Sequence, residues 1–86
     1  MGQIIDITVS NNSYQIEWAI SEYFDELKGK KYMLNEVAAD QIESISDLSD
    51  VAKILLSAVA GASIQYLMDN NCAIDEIFGN GYFVIK

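Results

Sequence analysis

Five carboxylates, Glu36, Asp40, Glu43, Asp47 and Asp50, follow one another at intervals of four, three, four and three residues. On an α-helix this spacing puts all five on one face, each roughly 5 Å further along the axis than the last. No lysine lies inside the stretch; the nearest are Lys31 and Lys53. Like charges so placed destabilise an isolated helix by about 0.2–0.5 kcal/mol per pair. A basic groove on another molecule would relieve that cost, because a rigid file of carboxylates imitates the charge of a phosphate backbone at low resolution. The same acids also have an ordinary use as solvated residues and helix N-terminal charges, Glu36 for one segment and Asp47 and Asp50 for the next.

Covalent chemistry has little to draw on. There is no histidine, which removes Ser-His and Cys-His nucleophile pairs and histidine metal sites. Cys72 is the only cysteine, so neither an internal disulfide nor a one-chain zinc cluster can form. No GxxxxGK[ST] and no GxGxxG occurs. Asp69-Asn70-Asn71 opens like a calcium loop, but Ile74 stands where the loop needs glycine and Asn80 where it needs glutamate. Asp25-Glu26 and Asp75-Glu76 are adjacent pairs, and neighbours on a helix do not face each other. The expectation is a non-enzyme without catalytic residues, metal or cofactor.

A second constellation is built from small residues. Ser57, Gly61 and Gln65 form one helical row, with Ala58 and Ala62 beside it. Glycine in a helix interior costs about 1 kcal/mol against alanine and is tolerated where another backbone packs close. That neighbour is expected to be a strand or helix of the same chain; the alternative is the same helix of a second copy, giving a homodimer. The aromatics Tyr14, Trp18, Tyr23 and Phe24 are read first as core. Glu17, Glu22 and Asp25 flank them, so an interface anchor is the second reading.

Thirteen acids face five lysines and no arginine, for a net charge of −8. Such a field repels nucleic acid and anionic lipid and attracts basic proteins. The lack of arginine also removes the side chain best suited to bidentate phosphate contacts. Direct nucleic-acid binding and membrane association are therefore not expected. The uncharged run from Ile54 to Met68 is fifteen residues long, short of the ~20 that span a bilayer. With one cysteine and no basic leader before the first apolar run, a cytoplasmic location is expected.

The elements that must position these residues follow from periodicity. The composition, 51% hydrophobic and 21% charged, is that of a folded chain, and 86 residues make a single globular domain, 1–86. Residues 3–9 alternate Ile5, Ile7 and Val9 against Asp6 and Thr8, which is a strand ending at Ser10-Asn11-Asn12. Residues 14–28 carry two patterns. Ile16, Ile20, Tyr23 or Phe24, and Leu27 recur at helical spacing, and a helix over 14–28 ending at Gly29 is preferred. The alternation of Tyr14, Ile16, Trp18 and Ile20 would instead make a hairpin with a short helix from about Ser21. Tyr32-Met33-Leu34 reads as a connector, and Asn35 as the cap of a helical segment holding Val37, Ala38, Ile42 and Ile45. Ser46 and Asp47 are good cap residues, so the chain either runs on through them as one long helix or two nearly collinear ones, or breaks there and splits the acidic row.

The main helix is expected over about 47–69, ending at Asn70-Asn71. Its buried seam is read as Ile45, Leu48, Ala52, Leu55, Val59, Ala62 and Tyr66. Residues 73–78 suit either a strand, with Asn80-Gly81 as a hairpin turn, or a helical turn; Tyr82-Phe83-Val84-Ile85 is a strand in both cases. The fold class is α+β: a small antiparallel sheet including the N- and C-terminal strands, packed against the long apolar central helix and one or two further helices.

In size and charge the chain resembles small acidic inhibitors, namely immunity proteins against basic nucleases and phage anti-defence proteins such as anti-CRISPRs and DNA mimics. That resemblance implies an acidic module that occludes the basic nucleic-acid-binding site of a partner, such as a nuclease; the residues expected to carry the contact, from their spacing alone, are Glu36, Asp40, Glu43, Asp47 and Asp50. The alternative is a small assembly subunit self-associating through Ser57, Gly61 and Gln65.

Overall fold

The computed structural model describes residues 2–37, 42, 45 and 47–86. Strand β1 (Gln3–Val9) alternates as its sequence requires, with Ile5, Ile7 and Val9 buried. A two-residue loop follows, and Ser10 takes the positive φ, 55°, that tight hairpins favour. The chain then returns as β2 (Asn12–Trp18), pairing Ile16 with Ile5 and Tyr14 with Ile7. This corrects the helix expected over 14–28. The helical spacing there depended on Ile20, which is 71% exposed, whereas the strand lays Tyr14, Ile16 and Trp18 beside the buried side chains of β1. Packing against a neighbouring strand outweighs local spacing.

The helical remainder is a single 3-10 helix, Glu22–Glu26, with Ser21 as its N-cap. It ends near Gly29, whose φ of 78° suits glycine, and the Gly29 N–H donates to the Ile85 carbonyl at 3.0 Å. The expected connector is strand β3 (Lys31–Met33), which pairs with the last strand, β4 (Tyr82–Ile85). Helix α1 (Leu34–Val37) starts at Leu34, so Asn35 lies inside it and is not its cap. The final helix, α3 (Ile74–Asn80), settles the open choice at 73–78. Asn80-Gly81 closes that helix and makes no hairpin turn. The Gly81 N–H reaches the Ile77 carbonyl at 2.9 Å, an approach that a Cβ would block.

The sheet runs β2-β1-β4-β3, antiparallel throughout. Its two central strands are therefore the first and the last in the sequence. Helix α2 (Asp50–Asp69) packs against this sheet, burying Ala52, Leu56, Val59, Ala60, Ser63 and Leu67. It starts slightly later than the 47–69 expected, because Ser49 is its N-cap. Tyr66 meets Tyr14 of β2 edge-on, ring centroids 5.9 Å apart. The core joins Ile5, Ile7, Phe83 and Ile85 of the sheet to Phe24, Leu27, Leu34, Leu56 and Ile77. The α+β architecture expected from the sequence is the one observed.

Twenty residues make α2 long and apolar enough to cross a membrane by length and composition alone. Here it is the main helix of a compact body, one side against the sheet and charged residues at both ends: Asp50 and Lys53, then Asp69.

Candidate functional site

The N-terminal end of α2 gathers acidic residues from two separate stretches. Ser49 is the joint. Its Oγ accepts from the Ala52 N–H at 3.2 Å, the bond that caps the helix. The same hydroxyl donates to Glu26 Oε2 at 2.8 Å, and the Ser49 N–H donates to Glu26 Oε1 at 3.0 Å. One carboxylate thus clasps the cap residue through both oxygens. The backbone N–H, and after it the hydroxyl, hold the Glu26 carboxyl below its ordinary pKa of 4.5. The position also suits a negative charge because the helix N-terminus carries partial positive charge.

The clasp draws the 3-10 helix, with Glu22 and Asp25, up to Asp47, Asp50 and the start of α2. Among the described residues, Lys28 pairs with Asp25 at 3.3 Å and Lys30 with Asp47 at 3.5 Å, tempering this acidic pole. All four of those side chains are largely exposed, so the pairs are screened and weak. Among the described residues, Glu22, Glu36 and Asp50 have no lysine within ion-pair distance. Eight of the thirteen acids fall between residues 22 and 50, against three lysines. The uneven charge is thus confined mainly to one third of the sequence.

The expected acidic row fares differently. Glu36 is exposed on α1, Asp47 is exposed in a turn, and Asp50 is exposed as the first residue of α2. Asp40 and Glu43 lie outside the described residues, as do Ala38 and Ser46. Residues 45 and 47–49 are not helical, so no uninterrupted helix carries the row from Glu36 to Asp50. The lysine missing from the local sequence is supplied to Asp47 across the fold, by Lys30. The cross-chain acids Glu22, Asp25 and Glu26 were not in the row. The signal that could have drawn attention to the joint is Ser49-Asp50 before an apolar run, a helix-start signature.

The small-residue row needs a correction too. Ser57, Gly61 and Gln65 are exposed, and a Cβ built at Gly61 would meet nothing within 4 Å. Among the described residues, no strand or helix packs against Gly61. The buried face of α2 is centred on Leu56, Ala60 and Ser63; the expected seam residues Leu55, Ala62 and Tyr66 flank it, half-buried. The Ser63 hydroxyl is satisfied by the Val59 carbonyl at 2.8 Å.

Two tyrosine hydroxyls lie in or beside the core. Tyr32 is 8% exposed, and among the described residues its hydroxyl finds no hydrogen-bond partner. Burial, then the Asp47 carboxylate, raise its pKa above the ordinary 10. Tyr14 Oη lies 3.6 Å from the Cys72 Sγ, and that contact is the main cause of the raised Tyr14 pKa. Among the described residues no group of three His, Cys, Asp or Glu side chains converges to hold a metal ion. No family model, curated protein or solved structure matches this chain.

Proposed function

We propose that the protein is a non-enzymatic, cytoplasmic binding module that presents the acidic pole at the start of α2 to a basic surface of another protein. The partner class is a nucleic-acid-binding protein such as a nuclease, and the module acts as an inhibitor by occupying the site where phosphates would lie. The observation that carries this reading is the Glu26–Ser49 clasp. It fixes acids from two distant stretches on rigid elements at one end of a helix. Fixed carboxylates lose less freedom on binding than flexible ones, and their field accelerates encounter with a basic partner.

The contact set differs from a single-helix row. Glu22, Asp25, Asp47 and Asp50 carry it, with Glu36, Asp40 and Glu43 as further acids of the same region of sequence. The test is capture of the partner from the native host with wild-type protein and with Glu22→Lys/Asp25→Lys/Asp50→Lys. All three positions are exposed, so the fold should survive. Capture of a basic protein should weaken as salt rises and disappear with the triple variant. Equal capture by both forms would sink the proposal.

A further inference from the structure

The outward side of α2 is uncovered and apolar. Val51, Ile54, Ala58, Gly61, Gln65 and Met68 follow at intervals of three and four residues, which is one straight stripe along the helix. Val51 is 46% exposed, Ile54 70% and Met68 44%. No charged side chain belongs to the stripe, and the Gln65 amide is turned to Asp69, 2.9 Å away, at its C-terminal end. Large aliphatic side chains left this open on a contiguous face mark an interaction surface, in contrast to scattered exposed residues.

We propose that this face pairs with the same face of a second copy, the two α2 helices crossing antiparallel about a two-fold axis between Ala58 and Gly61. Three observations choose this occupant. The stripe is symmetric in size: Val51 and Ile54 lead to Ala58 on one side, and Met68 and Gln65 lead to Gly61 on the other. A two-fold axis therefore sets Val51 against the second copy's Met68, Ile54 against its Gln65, and Ala58 against its Gly61. Crossing helices are closest at one point and diverge from it, so they need small residues in the middle and longer ones at the flanks, which is the order found.

Charge makes the same choice. The chain carries −8, and a basic partner gains nothing from an uncharged stripe, whereas two like-charged copies can approach only through such a face. Finally, Gly61 is unfavourable inside a helix and has no close neighbour among the described residues; the second copy's backbone would supply one. A strip about 26 Å long and about 10 Å wide on each copy buries about 500 Å² in total, below the size of stable specific interfaces, so the dimer is a weak, reversible one. It is closed and isologous. It is independent of the acidic pole, which it leaves free at each end.

The test is sedimentation equilibrium of the whole chain from about 1 to about 500 µM, at about 50 and about 500 mM salt. The mass should rise from one chain to two, and the dimer should tighten with salt because salt screens the repulsion between copies. A basic-partner complex responds to salt in the opposite sense, so the failure of either proposal is distinguishable. Ile54→Lys should leave far-ultraviolet circular dichroism unchanged and hold the chain monomeric. Val51→Lys/Met68→Lys should also be monomeric. Val51→Glu/Met68→Lys should restore pairing, since antiparallel packing sets each glutamate against a lysine. A chain monomeric at every concentration, a dimer untouched by Ile54→Lys, a dimer that loosens with salt, or co-sedimentation with phosphatidylcholine vesicles in place of dimerisation would each overturn the proposal.

Discussion

Replacing Ser49 by alanine tests the joint on which the acidic pole depends. The hydroxyl makes two bonds: it accepts from the Ala52 N–H at 3.2 Å and donates to Glu26 at 2.8 Å. Loss of an N-cap side chain costs about 1 kcal/mol, within a range of about 0.5–2. The bond to a charged carboxylate is lost as well, while the Ser49 N–H can still hold Glu26 from one side. A total of about 1–2 kcal/mol is expected. For a domain of this size the melting temperature should fall by about 5–15 °C. Ser49→Thr should recover most of the loss; Ser49→Asp should keep the cap yet gain repulsion from Glu26.

The pH dependence follows from the lowered Glu26 pKa. A carboxyl whose folded value lies below its unfolded one adds stability above the unfolded value, ordinarily 4.5. That contribution disappears as pH falls through the folded value. Glu26→Gln should therefore be less stable than wild type near neutral pH and converge with it in acid. Urea unfolding at about pH 7 and about pH 3.5 measures the convergence. A Ser49→Ala protein melting within about 1 °C of wild type, or a Glu26→Gln difference that ignores pH, would refute the clasp.

Other expectations follow from the glycines and the buried phenol. Gly61→Ala should stabilise the dilute monomer by up to about 1 kcal/mol, since a methyl there meets nothing among the described residues; thermal melts at low concentration check this. Gly81→Ala should sharply lower both stability and soluble yield, because its methyl would collide with the Ile77 carbonyl and the Leu34 side chain. Tyr32→Phe should be neutral or stabilising in urea titrations, as it removes a buried hydroxyl without a partner among the described residues.

What could be read from the sequence depended on whether a pattern was local. β1 declares itself by alternation and β-branching, β4 by a short aromatic and β-branched run, and α2 by an uncharged run too long for a strand. The same run hid which side of α2 faces inward: apolar on all sides, it gives periodicity little contrast, and the seam was placed to one side of the buried face. β2 carried both periods at once, and only its pairing with β1 decides between them. β3 is three residues long, too short to show any period. In the candidate site the acid spacing was visible, but the Glu26–Ser49 bonds join residues 23 apart and leave no local trace. Lys30 reaches Asp47 in the same nonlocal way.

The placement of β1 and β4 side by side has a consequence for how the chain is made. Lys86 donates its N–H to the Ile4 carbonyl, and the two middle strands are translated more than 70 residues apart. The β1–β2 hairpin is translated well before β4 and must wait for it, its Ile5–Ile7 side uncovered and one edge of β1 without a partner. A lone hairpin is marginal in water, and closing such distant pairs is slow. During that interval the nascent chain is open to pairing with its neighbours on the same message. Its surplus of negative charge then acts as a spacer between growing chains, before any folded surface exists.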